Sequence, residues 1–353
     1  MNRKKRILIA LLNWGLGHAT RCMPIINTLI RKGFEPVLAS DGEALRLLRK
    51  EYPAQESIEL PSYHIRYPSK GKFLKWHLVL NSPKVIKAIK TEKLLINELV
   101  LAGKIDGIIS DNRLGVCHTE IPSVIITHQL KVLSGQTSWL SSWIHQRFIK
   151  SFDQCWVPDI EDEPNLSGAL GHIKSFSVPI KYLGIISRFT PIKRQMLHDL
   201  IVILSGPEPQ RSILEKQLLN QLESFPGKIL FVQGNIDQVQ TKKQIKNIQI
   251  INFMLAEELE RAINESEIVL ARSGYTTLMD LARLKKKAFL IPTPGQYEQE
   301  YLAKQMHKKG IAPYCNQNDF TSDQLNKVKD YSGFKSIDTS LHIEELLCFF
   351  EGE

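Results

Sequence analysis

One pattern limits this chain more than any other. Short, β-branched apolar runs recur along its 353 residues, each leading through a glycine-containing or polar turn into a helical pattern. Runs of this kind suit parallel strands buried on both faces. Their alternation with helices predicts a doubly wound α/β sheet. Ile7–Leu12, Glu35–Ala39, Asp106–Ser110, Ser123–Thr127 and Gln154–Val157 read as strands of a first set. Helical patterns run to about Arg31 and over Gly42–Lys50. The rhythm then pauses from Pro158 to Phe189, a stretch rich in turn residues that reads as a connector. It resumes with Leu200–Leu204, Lys228–Val232, Ile248–Asn252, Ile268–Ala271 and Ala288–Ile291. Helices are expected at Glu208–Leu222, Ala256–Asn264, Thr277–Leu284, Glu298–Lys309 and Leu341–Phe350.

Two α/β halves follow, and the length suits two domains. Residues 1–188 are expected to form a first Rossmann-like domain, with its connector at about 158–195. Residues 189–335 are expected to form a second Rossmann-like domain, and 336–353 a terminal helix. Ligands of such sheets bind outside the carboxyl ends of the strands, so a cleft between two facing halves is the expected site.

Composition removes several alternatives. Ile7–Leu12 follows a basic start but is short and lacks a small-residue cleavage site, so it reads as a strand and the chain as cytoplasmic. The five cysteines are scattered without ligand-like pairing, which argues against a disulfide framework or zinc. The net charge of +9 favours an anionic partner. No zinc finger, helix-turn-helix or RNA-recognition signature accompanies that charge, so nucleic acid is not expected.

Three segments carry chemistry. The first, Asn13-Trp14-Gly15-Leu16-Gly17-His18-Ala19-Thr20-Arg21, joins the first strand to the first helix. Gly15 and Gly17 allow a ligand close to the backbone, and a helix start favours anions. His18 is either a general base on an acceptor hydroxyl or a helix-capping histidine. The second is Arg272-Ser273-Gly274, leading into a helix that carries Thr276, Thr277 and Asp280. Amides and hydroxyls there can hold phosphate oxygens, and Arg272 can neutralise them. Asp280 can take both hydroxyls of a ribose, or can close a capping box with Thr277. The third is the loop from Pro292 into Glu298-Gln299, an acid and an amide suited to sugar hydroxyls or to a helix dipole.

Together these segments resemble the MurG-like enzymes of glycosyltransferase family 28, which have the GT-B fold. The turn with His18 is similar to the family's glycine-rich N-terminal loop. The stretch from Arg272 to Ala303 is similar to its donor-binding strand, turn and helix with the following proline loop. The resemblance implies an inverting transferase using a nucleotide-diphosphate sugar, usually UDP-linked. It implies His18 as base or acceptor-site residue, Asp280 as ribose ligand, and Gln299 with Glu298 as sugar ligands. It also implies that the first domain takes the acceptor, that the second takes the nucleotide-sugar donor, and that the last helix returns to the first domain.

The loop Ser205-Gly206-Pro207-Glu208-Pro209-Gln210-Arg211 departs from the family's glycine-rich phosphate loop, because proline has no N–H to offer. Ser205, Gly206 and Arg211 are the substitutes. Asp111 follows a strand and is a second candidate base, an orienter of His18, or an Asx turn. His128 and Gln129, with Asn13, Gly15 and Gly17, are candidate acceptor contacts. No Asp-x-Asp pair occurs, so metal-independent transfer is expected, with fixed dipoles and charges stabilising the leaving diphosphate.

A basic, aromatic stretch from Gly71 to Leu80, continued by Lys84, Lys87, Lys90 and Lys93, reads as a surface for anionic membrane or as a solvated helix face. Trp139 and Trp143 add to it. A lipid-linked or cell-envelope glycan acceptor, at the inner face of the plasma membrane, is the partner this patch would serve. A nucleotide-sugar hydrolase or epimerase of the same fold, and a non-catalytic nucleotide-sugar sensor, are the competing readings.

Overall fold

The computed structural model describes residues 3–14, 16–63, 74–133, 138–206, 208–235 and 239–351, with backbone alone over 74–82. Gly15, Pro207 and Lys72 lie outside the described residues, as do the side chains of the rest of the basic aromatic stretch. The chain divides into two compact units, the first holding Met1–Arg66, Lys75–Ile186 and Thr339–Glu353 and the second Ser187–Asp338.

The first unit runs β1 (Arg6–Leu11), α1 (Gly17–Arg31), β2 (Glu35–Ser40), α2 (Gly42–Glu51), β3 (Ser57–Glu59), α3 (Leu74–Leu101), β4 (Gly107–Asp111), β5 (Ser123–Ile126), α4 (Ser138–Ile149), β6 (Gln154–Val157) and β7 (Ile180–Tyr182). Its seven strands lie in the order β3-β2-β1-β4-β5-β6-β7, all parallel. Ile7 through Leu11 are fully buried because both faces of β1 are covered. Leu8 and Ala10 pack with Val37, Ile96, Leu99 and Ile108 in one apolar cluster. The strand order reverses between β1 and β4, whose register sets Leu11 opposite Asp111. That reversal is the switch point where open α/β sheets bind ligands.

The second unit repeats the plan with β8 (His198–Ile203), α5 (Gln210–Gln221), β9 (Ile229–Val232), β10 (Lys242–Ile245), β11 (Ile248–Ile251), α6 (Ala256–Asn264), β12 (Ser266–Ala271), α7 (Tyr275–Arg283), β13 (Lys287–Leu290) and α8 (Tyr297–Lys308). The order of its six strands is β10-β11-β9-β8-β12-β13. Only β10 runs antiparallel, through a tight hairpin at Lys246, whose φ is 51°. The switch here lies between β8 and β12, where Ile203 stands opposite Ala271. Leu200, Val202, Phe231, Leu270 and Phe289 form the heart of this core.

Both sheets are the doubly wound kind expected from the sequence. Three edge strands escape that reading: β3, of three residues, lies outside every predicted run. β7 sits inside the stretch taken as connector, and β10 opens with Lys242-Lys243-Gln244. Edge strands need no apolar run, and exposed lysine guards them against pairing with other chains.

The terminal helix is also shorter than expected: α9 spans Ile343–Leu347 and passes into a 3₁₀ turn at Cys348–Phe350. This segment packs within the first unit. Phe350 stands edge-on to Trp156 at 6.0 Å. A Cβ built on Gly107 would lie 2.5 Å from the Phe350 ring, so only glycine admits it. Among the described residues, no helix is long and apolar enough to cross a membrane.

Candidate functional site

The first switch point gathers charged groups that the sequence scatters. His18 and Arg21 lie three residues apart on α1 and so share a face. Asp111 ends β4, and His128 follows β5. Arg21 grips Asp111 as a fork: its Nε donates to Oδ2 at 2.7 Å and its Nη2 donates to Oδ1. The same Nη2 lies 2.8 Å from His18 Nδ1, which is itself 3.1 Å from Asp111 Oδ1. Arg21 Nη1 stands 3.5 Å from His128 Nδ1.

Burial sorts these groups. The His18 side chain keeps 13% exposure while Asp111 has 0%, so of the two candidate bases only His18 reaches an open surface. Burial alone would raise the Asp111 carboxyl, but Arg21 and His18 outweigh it and hold the group well below the usual carboxylate range. Burial lowers His18; Asp111 pulls it upward, and Arg21 and His128 push it down. His145, on α4, is lowered to about 4 by burial and by His128.

A second buried network braces the loop before α1. Arg113 has no exposure and donates to Leu11 O at 2.9 Å, Pro61 O at 2.7 Å, Glu92 Oε1 at 2.9 Å and the Asp41 carboxylate. Asp41 in turn accepts from Asn13 Nδ2 at 3.3 Å, and Asn13 Oδ1 accepts from Ala44 N. Asn13, read as an acceptor contact, is thus tied to the start of α2. Gly17 is the first residue of α1. His128 is 5% exposed behind Arg21, and half-buried Gln129 donates its backbone N–H to Thr127 Oγ1 at 3.1 Å.

The second switch point brings Ser205-Gly206 beside the Arg272-Ser273-Gly274 turn. Gly206 has a φ of 98°, and a Cβ there would come within 3.9 Å of Thr293 Oγ1. Thr293 Oγ1 and Arg272 Nε are buried and unpartnered. Arg272 is 1% exposed and turned inward. It donates to the carbonyls of Ile291, Pro292 and Gln210 and, at 2.7 Å, to Gln317 Oε1. It therefore braces the loops that surround the turn. Ser273 Oγ donates to Gln299 O at 2.8 Å, and Gln299 Oε1 accepts from Thr293 N at 2.9 Å. The proline loop and the turn are locked together through these two residues. Thr276, Thr277, Glu298 and Gln299 are all half-buried there, whereas Ser205 and Gly206 are exposed. Arg211 is engaged with Glu208 and with Gln233 O.

Asp280 does not cap its own helix. α7 already starts at Tyr275, with Gly274 before it, and the Asp280 carboxylate instead accepts from Ser187 Oγ at 2.5 Å. Burial raises it to about 6, against the pull of Ser187 and Arg188.

Arg21, Arg113, Ser187 and Gln317 take part in these networks, and sequence reasoning gave them no role. Only Arg21 left a signal, its i+3 spacing from His18.

Residues 201–332 match the model of the glycosyltransferase family 28 C-terminal domain. The chain is similar to the UDP-N-acetylglucosamine–N-acetylmuramyl-(pentapeptide) pyrophosphoryl-undecaprenol N-acetylglucosamine transferase of Pasteurella multocida, at 23% identity over 92% of this chain and 88% of that protein. The protein of the same description from Finegoldia magna is 28% identical over 35% of this chain. The aligned stretches span only 36% of the Finegoldia protein and 55% of its Buchnera aphidicola counterpart. Among solved structures, Acinetobacter baumannii MurG superposes with a TM-score of 0.58 at 14% identity, covering 99% of this chain and 100% of that one.

Proposed function

We propose, since the chain belongs to the MurG-like glycosyltransferases of family 28 and has the GT-B fold, that it moves a sugar from a UDP-linked donor to a hydroxyl acceptor with inversion and without a metal. The observation that carries this reading is the 3.1 Å approach of His18 Nδ1 to Asp111 Oδ1 at the first switch point. With the Nδ1 proton donated to Asp111, Nε2 of His18 is left as the base. It takes the acceptor's proton as the acceptor oxygen bonds to the anomeric carbon. The bond from that carbon to the diphosphate breaks on the opposite face, and the diphosphate leaves with the electron pair.

The second unit holds the donor. The start of α7 at Gly274, the hydroxyls of Thr276 and Thr277, and the exposed Ser205-Gly206 backbone receive the diphosphate. Arg272 and Ser273 keep those loops in place, and Arg211 adds positive charge at the start of α5. Asp280, raised to about 6 and so ionised at neutral pH, accepts the ribose hydroxyls. Glu298 and the amide of Gln299 meet the sugar.

The acceptor in this reading is lipid-linked, at the cytoplasmic face of a membrane. The name of the Pasteurella relative, with its pyrophosphoryl-undecaprenol acceptor, supports it. So does α4, which exposes Trp139 at 72% and Trp143 at 56%, with Arg147 over the Trp143 ring at 5.8 Å. Lys84, Lys87, Lys90 and Lys93 are exposed on α3 of the same unit. Amphipathic aromatics with cations suit an anionic lipid interface.

The test is donor turnover with EDTA present, using UDP-, GDP- and dTDP-sugars with and without a hydroxyl acceptor. Acceptor-dependent release of UDP is expected. Release at full rate without acceptor would make the protein a hydrolase, and loss of turnover restored by Mg²⁺ would end the metal-free mechanism.

A further inference from the structure

Resting on His18 as the base, the geometry points to Arg21 as the positioning residue of this site: it fixes the Asp111 carboxylate and holds His18 in the uncharged state that can accept a proton.

Arg21 is 2% exposed, and its guanidinium reaches Asp111, His18 and His128. Both oxygens of Asp111 receive an N–H from it, Oδ2 from Nε at 2.7 Å and Oδ1 from Nη2. The carboxylate therefore cannot rotate away from His18. The planar fork does this by shape, which a lysine ammonium cannot copy.

His18 Nδ1 lies between two groups with opposite demands. Asp111 accepts only, so it favours a proton on Nδ1 and leaves Nε2 bare; Arg21 carries a fixed positive charge, so it opposes a second proton on the ring. The distances, 3.1 Å to Asp111 and 2.8 Å to Arg21, leave both contacts within reach. Beside a buried carboxylate alone, an imidazole is drawn toward imidazolium, which has no lone pair for the acceptor's proton. The guanidinium offsets that pull. In this cluster Asp111 raises His18 while burial and Arg21 lower it, and the lowering prevails.

The remaining neighbours act in the same direction or are neutral. His128, after β5, also lowers His18, and it lowers His145 of α4 as well. The Cys22 thiol donates to Asp111 Oδ2 at 3.4 Å and the Asn112 amide to Oδ1 at 3.4 Å. Neither of those two carries a charge that could replace Arg21.

The experiment compares Arg21→Met and Arg21→Lys with the parent chain by two readouts. One is the acid limb of kcat/KM against pH. The other is the titration of the His18 imidazole followed by NMR in the intact protein, which needs no turnover. For Arg21→Met both are expected to move up by about one pH unit or more, since a neighbouring charge commonly shifts such a group by one to three units. Arg21→Lys is expected to keep the limb near its original place while kcat falls. An unmoved imidazole titration in Arg21→Met, whatever its activity, would overturn the assignment. Full activity in His18→Ala would instead overturn the base reading on which the assignment rests.

Discussion

Replacing Arg113 with methionine isolates the network that braces the loop before His18. Arg113 has no exposure; its partners Glu92 and Asp41 are 0% and 8% exposed at their side chains. Methionine fills most of the same space, so the loss is chiefly one of charge and hydrogen bonds. Removing one partner from a buried ion cluster costs about 3–5 kcal/mol, because the charges left behind find no water. The lower part of that range applies here, since Glu92 still accepts from Tyr63 Oη at 2.8 Å and Gly115 N at 3.1 Å.

A pH signature accompanies the loss. Glu92 is already raised by burial, with Arg113, Tyr63 and Gly115 pulling it down. A carboxyl raised in the folded state gives stability that is complete below its unfolded value and lost as pH rises through the folded value. Without Arg113 the folded value climbs further, so the variant loses more at pH 8 than at pH 5. The assay is urea and thermal unfolding at both pH values, following the transition of the first unit. For a unit of this size a loss of about 3 kcal/mol lowers Tm by about 6–12 °C. A loss below about 1 kcal/mol, or an equal loss at both pH values, would refute the reasoning.

Two further outcomes follow from the same structure. Asp280 is raised from 3.8 to about 6, so its contribution, full below about pH 4, is lost as pH rises through about 6. Asp280→Asn should then stabilise the second unit by about 1–3 kcal/mol at pH 8, not at pH 4, while weakening UDP binding; calorimetry of unfolding and of binding checks both. Replacing Trp139 and Trp143 together by alanine should lower flotation with phosphatidylglycerol vesicles by about tenfold without moving Tm, because both rings are exposed.

Much of this molecule was legible before its structure. The strands β1, β4, β8 and β12 announce themselves as apolar β-branched runs because they are buried on both faces. Their carboxyl ends carry His18, Asp111, Ser205 and Arg272, which fixed where to look for a site. Three features were hidden for physical reasons. β3, β7 and β10 lie at sheet edges, where polar residues are tolerated and the apolar signal disappears. Arg21 and Arg113 are two among 46 Lys and Arg residues; only the fold shows that they point inward to carboxylates. Asp280 has the spacing of a capping box with Thr277, and the sequence cannot show that α7 has already begun at Tyr275 and that Ser187 is the carboxylate's partner.

The proton transfer by His18 is tested most directly by a single turnover. His18→Gln and the parent chain, each saturated with UDP-sugar, are mixed with acceptor and the glycosylated product is followed by mass spectrometry. A fall in rate of about 10²–10⁴-fold with donor affinity unchanged is predicted, the usual contribution of a general base. Product formed at the parental rate by the glutamine variant would contradict it.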